Sequence, residues 1–153
     1  AEALKVNTTL TACRLASNEI DDAGMKHLSN MLKVNTTLNS LDLHDNQFGD
    51  DGVRTIAEAL KLNSTLVRID LRSNLISEVA VNHMIDAFKV NVNLLSVWLS
   101  GGEWGNNIST ENFYTIKSFC HRNWGLRKVA IHERIVDVVM AMSSLLLPPY
   151  VIL

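Results

Sequence analysis

Leu32 to Leu38 reads L-K-V-N-T-T-L, and the same seven letters stand at Leu4 to Leu10. A variant, L-K-L-N-S-T-L, runs from Leu60 to Leu66, and F-K-V-N-V-N-L runs from Phe88 to Leu94. The starts at 4, 32, 60 and 88 are 28 residues apart. A fixed period of this size means stacked supersecondary units, each too thin to bury its own apolar face. Neighbours must then share one continuous core. The 153 residues therefore read as about five units of an array, treated as a single domain.

Counting from Leu10, the residues Leu10, Cys13, Leu15, Asn18 and Ile20 set a pattern, LxxLxLxxNxI. It returns as Leu38, Leu41, Leu43, Asn46 and Phe48, and again as Leu66, Ile69, Leu71, Asn74 and Ile76. Apolar residues at the fourth and sixth places predict a short strand with one buried face. Residues at the third and fifth places then point outward. Behind each strand lies an apolar stripe of helical spacing: Met25, Leu28, Met31 and Leu32, then Val53, Ile56, Ala59 and Leu60, then Val81, Met84, Ala87 and Phe88. Asp50 and Asp51 suit the positive end of the second of these helices. Asn7, Asn35, Asn63 and Asn91 follow the helices, where a left-handed residue is expected to end them.

The fourth unit keeps Leu94, Val97 and Leu99, but its Asn106 and Ile108 come four residues late. Phe113, Ile116, Cys120 and Asn123 keep that same offset, so an insertion lies near 100–105, within S-G-G-E-W-G. The expected layout is the end of an earlier unit at 1–9, four repeats over 10–125, and a degenerate capping unit over 126–153. The last unit opens like a strand, with Leu126, Val129 and Ile131, and continues as an apolar helical run to Pro148-Pro149. Asp137 and the prolines break that run as a membrane span, which needs about 20 apolar residues. Ala1 to Lys5 matches Ala57 to Lys61. The chain thus reads as an excerpt of a longer array, with self-association expected through its uncovered N-terminal end.

A net charge of −2, from 14 basic and 16 acidic residues, argues against a nucleic-acid surface. Ala1-Glu2-Ala3-Leu4 lacks the basic and apolar regions of a signal peptide. Cys13 and Cys120 replace apolar residues of other repeats, too many strands apart to pair. Two buried free thiols suit a reducing, cytoplasmic setting.

These residues resemble the leucine-rich repeat proteins of the ribonuclease-inhibitor-like class, from Ala1 to about Ile135. The resemblance implies an α/β solenoid, a right-handed βα superhelix with parallel strands on the concave face and helices on the convex face. It also implies an asparagine ladder through Asn18, Asn46, Asn74 and Asn106, ending where Arg134 replaces Asn. Similar repeats occur in NOD-like receptors, the ribonuclease inhibitor, the Ran GTPase-activating protein and the actin-capping domain of tropomodulin. Function is therefore left at protein recognition, with enzyme regulation or actin capping as alternatives.

No catalytic constellation is visible. The histidines at 27, 44, 83, 121 and 132 lack metal-ligand spacing, and G-G-E-W-G-N-N lacks the Lys-Ser/Thr ending of a phosphate loop. The reading is therefore a non-enzyme without metal or cofactor. Sequons at Asn7, Asn35 and Asn63 recur with the repeat and are explained by it; a fourth stands at Asn107. The outward places hold Arg14, Asp42, Asp70 and Trp98 in one column and Arg68 in the next, with His44 and Arg72 just beyond. Packing does not require these residue types there. Cross-strand pairs such as Arg14 with Asp42 are the bland explanation. Trp98 with the arginines is the anchor expected of a protein-binding surface, with Trp104 in the insertion covering or extending it.

Overall fold

The computed structural model describes residues 1–99, 106 and 108–146, with side chains as far as Val138. In order the elements are α1 (Glu2–Val6), β1 (Ala12–Arg14), α2 (Asp22–Leu32), β2 (Ser40–Asp42), α3 (Asp50–Leu62), β3 (Arg68–Asp70), α4 (Glu78–Val90), β4 (Ser96–Trp98) and α5 (Thr110–Leu146). The strands form one parallel sheet in the order β1-β2-β3-β4. Equivalent residues of successive repeats pair, so Ala12, Ser40, Arg68 and Ser96 stand side by side. Helices pack about 8–10 Å apart, whereas paired strands sit about 4.8 Å apart. The layer of helices must therefore follow the outer arc and the strands the inner one. This is a leucine-rich solenoid of alternating β and α layers.

The core lies between the layers. Leu41, Leu43, Ile69 and Leu71 enter it from the strand side, and Met25, Met31, Ile56, Leu60, Met84 and Phe88 from the helices. At the β1 edge, Cys13 and Leu15 are only half-buried. Cys13 and Cys120 are free thiols packed against the core, and burial pushes both up in pKa. Among the described residues no helix is long and apolar enough to cross a membrane.

Three polar chains run from repeat to repeat. In the first, the Asn46 amide Nδ2 donates to Leu15 O at 3.0 Å in the preceding repeat and Leu43 O at 2.9 Å in its own. Asn74 donates likewise to Leu43 O and Leu71 O, and Asn106 to Leu71 O and Leu99 O. Asn18 is exposed and bonds only Leu15 O and Ala16 O in its own turn.

The second chain follows the helix ends. Asn63 Nδ2 donates to Leu32 O at 2.8 Å and Asn35 O at 3.2 Å, while its Oδ1 accepts from Thr65 N and Leu66 N. Asn35 and Asn91 repeat the arrangement. These asparagines do not take the left-handed conformation expected of a helix-ending residue. Asn63 and Asn91 are extended, with φ −78° and −79°. Their side chains, rather than a backbone reversal, satisfy the open carbonyls of the preceding helix. Both amides of the sequons at Asn35 and Asn63 are buried in these bonds, which leaves no room for a glycan. The left-handed residues occur instead in the turns after β1, β2 and β3, at Ser17, Asp45 and Ser73, with φ 54°, 57° and 53°.

The third chain is acidic. Asp22 of α2 accepts from Gly49 N and Gly52 N, both at 2.8 Å, at the start of α3. A Cβ on Gly52 would come within 2.7 Å of that carboxylate, so the bond requires glycine there. Asp50 accepts from Ser77 N and Oγ at the start of α4, and Glu78 from Ser109 N and Oγ at the start of α5. Each carboxylate thereby serves the unpaired N–H groups and positive end of the next helix.

The fifth unit differs from expectation. Leu126, Val129 and Ile131, spaced like a strand, lie inside α5, which runs unbroken for 37 residues, about 55 Å. The cause lies at Asn123. The turns at Asn35, Asn63 and Asn91 close because Oδ1 accepts from the backbone two and three residues on. At Asn123 that oxygen takes Arg122 Nε and Nη2 at 3.0 and 2.7 Å instead. The helix then continues through Leu126, Arg127, Lys128 and Ala130, all good helix formers.

Two outcomes follow from these chains. Asn46→Ala or Asn63→Ala leaves buried carbonyls without donors and lowers stability by about 1–3 kcal/mol. Asn18→Ala, already solvated, costs well under half of that, as compared by urea midpoints. Hydrogen bonds from Ser109 hold the Glu78 carboxyl below its ordinary range. A depressed folded pKa contributes stability that is present above the unfolded value, about 4.3, and lost as pH falls through the folded one. Urea titrations should show Glu78→Gln less stable than the native chain at neutral pH, with the gap closing in acid.

Candidate functional site

The strand face carries the outward residues, and the turns behind it determine what they can do. Asp70, at an outward place, is nonetheless buried, with 6% of its surface exposed. Its Oδ1 accepts from Arg72 N at 3.1 Å across the left-handed turn, and its two oxygens hold Arg72 Nε and Nη2 at 3.0 and 2.6 Å. The side chain of an Asp reaching a backbone N–H two residues on is a turn-forming bond. Asp42 makes the same bond to His44 N at 3.2 Å. These carboxylates therefore shape the rim before they can meet any partner.

Arg72 in turn stands 5.9 Å from the ring centroid of Trp98. Asp70, chiefly by hydrogen bond, and Asp42, by charge, push the Arg72 pKa up and keep it cationic. Trp98 itself is 44% exposed, on the strand next to Asp70. A guanidinium over an indole is worth about 0.5–1 kcal/mol when exposed. The set Asp70–Arg72–Trp98 is thus a held, half-open aromatic platform.

The remaining residues are less gathered. Arg68 is exposed two places before Asp70 on the same face of β3. Arg14 is exposed on β1 in register with Asp42, and no ion pair joins the two. His44 is half-buried beside Asp42. Trp104 and the insertion near 100–105 lie outside the described residues. Among the described residues no group of His, Cys, Asp and Glu is placed to hold a metal ion.

Sequence reasoning missed a second feature. The spacing of Leu126, Val129 and Ile131 reads as a strand and gives Trp124 no role. The structure sets all four on α5. Trp124, Lys128, Ile131 and Ile135 recur at helical spacing, and that was the available signal. A groove of about 450 Å³ opens between this stretch and the starts of β3 and β4.

The Leucine Rich repeat family profile matches residues 6–29 and 34–57. Those two stretches match leucine-rich repeats, and the fold is that of a leucine-rich repeat solenoid. Among solved structures, the chain superposes on "Leiomodin-1 Actin-Binding Site 2" with a TM-score of 0.76 at 23% identity, covering 92% of this chain and 77% of that one. It also superposes on the tropomodulin C-terminal domain of Caenorhabditis elegans, with a TM-score of 0.58 at 13% identity, over 86% and 95% of the two chains. Both likenesses are of fold. No curated protein sequence matches the chain.

The platform predicts an asymmetric pair of substitutions. Arg72→Ala strands a buried carboxylate and lowers stability by about 1–3 kcal/mol. Asp70→Asn with Arg72→Ala removes that charge and recovers part of the loss. Urea unfolding of the two variants measures the difference.

Proposed function

We propose that this leucine-rich repeat protein is a protein-binding module whose strand face receives the partner, with Trp98 as anchor. The observation that carries the reading is the platform itself. Arg72 is fixed by buried Asp70 and set over a Trp that remains 44% exposed. Such a residue is held before binding, so little ordering entropy is lost on association. Trp and Arg are the side chains in which interface energy concentrates. Arg68 extends the cationic surface, and Arg14 and His44 lie along the same face.

The likeness to a domain titled an actin-binding site makes actin the first partner to test. Enzyme regulation has no comparable observation behind it. Co-sedimentation with actin filaments and pointed-end elongation are the measurements. Native protein binds, and Trp98→Ala weakens binding by about 2 kcal/mol or more. Glu58→Ala and Lys61→Ala, on the outer helix α3, stay within about 0.5 kcal/mol. Failure of native protein in both assays removes actin. Loss of binding through the α3 substitutions alone moves the recognition surface to the helices.

A further inference from the structure

Among the described residues, the half of α5 beyond Asn123 lacks the cover that α2, α3 and α4 have. Asn123 and Arg122 fasten the helix to the array: Arg122 Nη2 donates to Phe88 O at 2.7 Å and Asn123 Nδ2 to Leu94 O at 2.8 Å. Phe119 stacks on Phe88 at 6.0 Å. Past that clamp, Trp124, Ile131 and Ile135 are 50%, 52% and 56% exposed. Together with Lys128 they fall on one side of the helix, at spacings of four, seven and eleven residues from Trp124.

This side forms one wall of the groove of about 450 Å³, and the starts of β3 and β4 form the other. Its apolar lining includes Leu95, Trp124 and Ile131, and its charged lining is Arg68, Arg127 and Lys128, with no carboxylate among them. Lys128 Nζ lies 4.0 Å over the Trp124 ring. None of the three cations has an ion-pair partner among the described residues. Glu133 and Asp137, the acidic residues of this stretch, fall on the opposite side of α5 by the helical period.

We propose that this groove docks an acidic amphipathic segment of a partner protein, its apolar residues on Trp124, Leu95 and Ile131 and its carboxylates on Arg68, Arg127 and Lys128. The exposed wall from Trp124 to Val138 is about 21 Å long, the length of a helix of about four turns. An amphipathic helix laid in such a groove uses anchors at three- and four-residue spacing. A second copy of α5 fits poorly, because it would bring Arg127 and Lys128 of its own against the same cations. The Trp98 platform lies at the other end of the strands, and Arg68 is the one residue the two surfaces share.

The test uses three labelled synthetic peptides of about sixteen residues, the length of that wall. One pairs leucines at helical spacing with glutamates, one replaces the glutamates by lysines, and one replaces the leucines by serines. Fluorescence anisotropy with the full chain measures binding. Expected are saturable binding of the first peptide only, and loss of about tenfold or more in affinity on Arg127→Glu with Lys128→Glu. Trp124→Ala lowers affinity similarly, while Trp98→Ala leaves it unchanged, which separates this surface from the strand-face reading. Both groove variants alter solvent-exposed helical positions, and circular dichroism checks that they remain folded. The proposal is overturned by no saturation up to about 1 mM of the first peptide, or by equal binding of the lysine peptide. It is overturned equally by full affinity in the charge-reversed variant, or by binding of anionic phospholipid vesicles without binding of the peptide. A dimer by sedimentation that vanishes in Trp124→Ala would give the groove to a second copy and also overturn it.

Discussion

The structure depends on one planar group used many times, the asparagine side-chain amide that spans two repeats. A thin repeat cannot return its own chain without burying backbone carbonyls in turns, and buried backbone groups must be paired. An asparagine offers two donors and an acceptor on a short stem. Asn63 spends the donors on Leu32 and Asn35 of the preceding repeat and the acceptor on its own turn. One residue thus closes its turn and fixes the distance to its neighbour. Asp22, Asp50 and Glu78 do the corresponding work at the other ends of the helices. With both ends of α2, α3 and α4 tied to the next repeat, the strand register follows, and so does the alignment of Asp42, Asp70 and Trp98 on one face.

That alignment has an unexpected consequence for the acidic residues. From spacing alone, Asp42 and Asp70 are outward charges available to a partner. In place, each carboxylate first satisfies a backbone N–H across a left-handed turn. Asp70 goes further and is buried with Arg72 over it. The charge offered to a partner at this point is therefore the guanidinium and the indole beneath it, not the carboxylate. An ion pair with one member half-exposed contributes modestly to stability. Its larger effect is to restrict the rotamers of Arg72 and so to pre-form the platform.

The period of 28 made the fold legible, because L-K-V-N-T-T-L repeats almost letter for letter and each apolar place has a physical duty. The strands β1 to β4 and helices α2 to α4 follow from it directly. Less was legible where one residue could act in two ways. Asn35, Asn63 and Asn91 end helices as read, yet by side-chain bonds to another repeat, which a local pattern does not contain. Leu126, Val129 and Ile131 match strand spacing, and only the capture of Asn123 Oδ1 by Arg122 decides that the helix continues. Of the candidate site, the outward column was readable from strand alternation. The grouping of Asp70, Arg72 and Trp98 was not, since it arises from a turn and a neighbouring strand. Trp124 escaped notice because a false strand register hid its helical spacing.

The course of α5 bears on where binding energy can be found. Nucleating a helix is costly, whereas extending one adds a hydrogen bond for each residue fixed. The first half of α5, packed on α4 through Phe119 and Ile116, supplies that nucleus. The second half then propagates residue by residue with apolar side chains left half-exposed. Completing the burial of one large apolar side chain is worth up to about 1.5–3 kcal/mol. Among the described residues, Trp124, Ile131 and Ile135 leave part of that gain unrealised. Trp124 and Ile131 line an open groove with three cations, so that energy is available to another molecule.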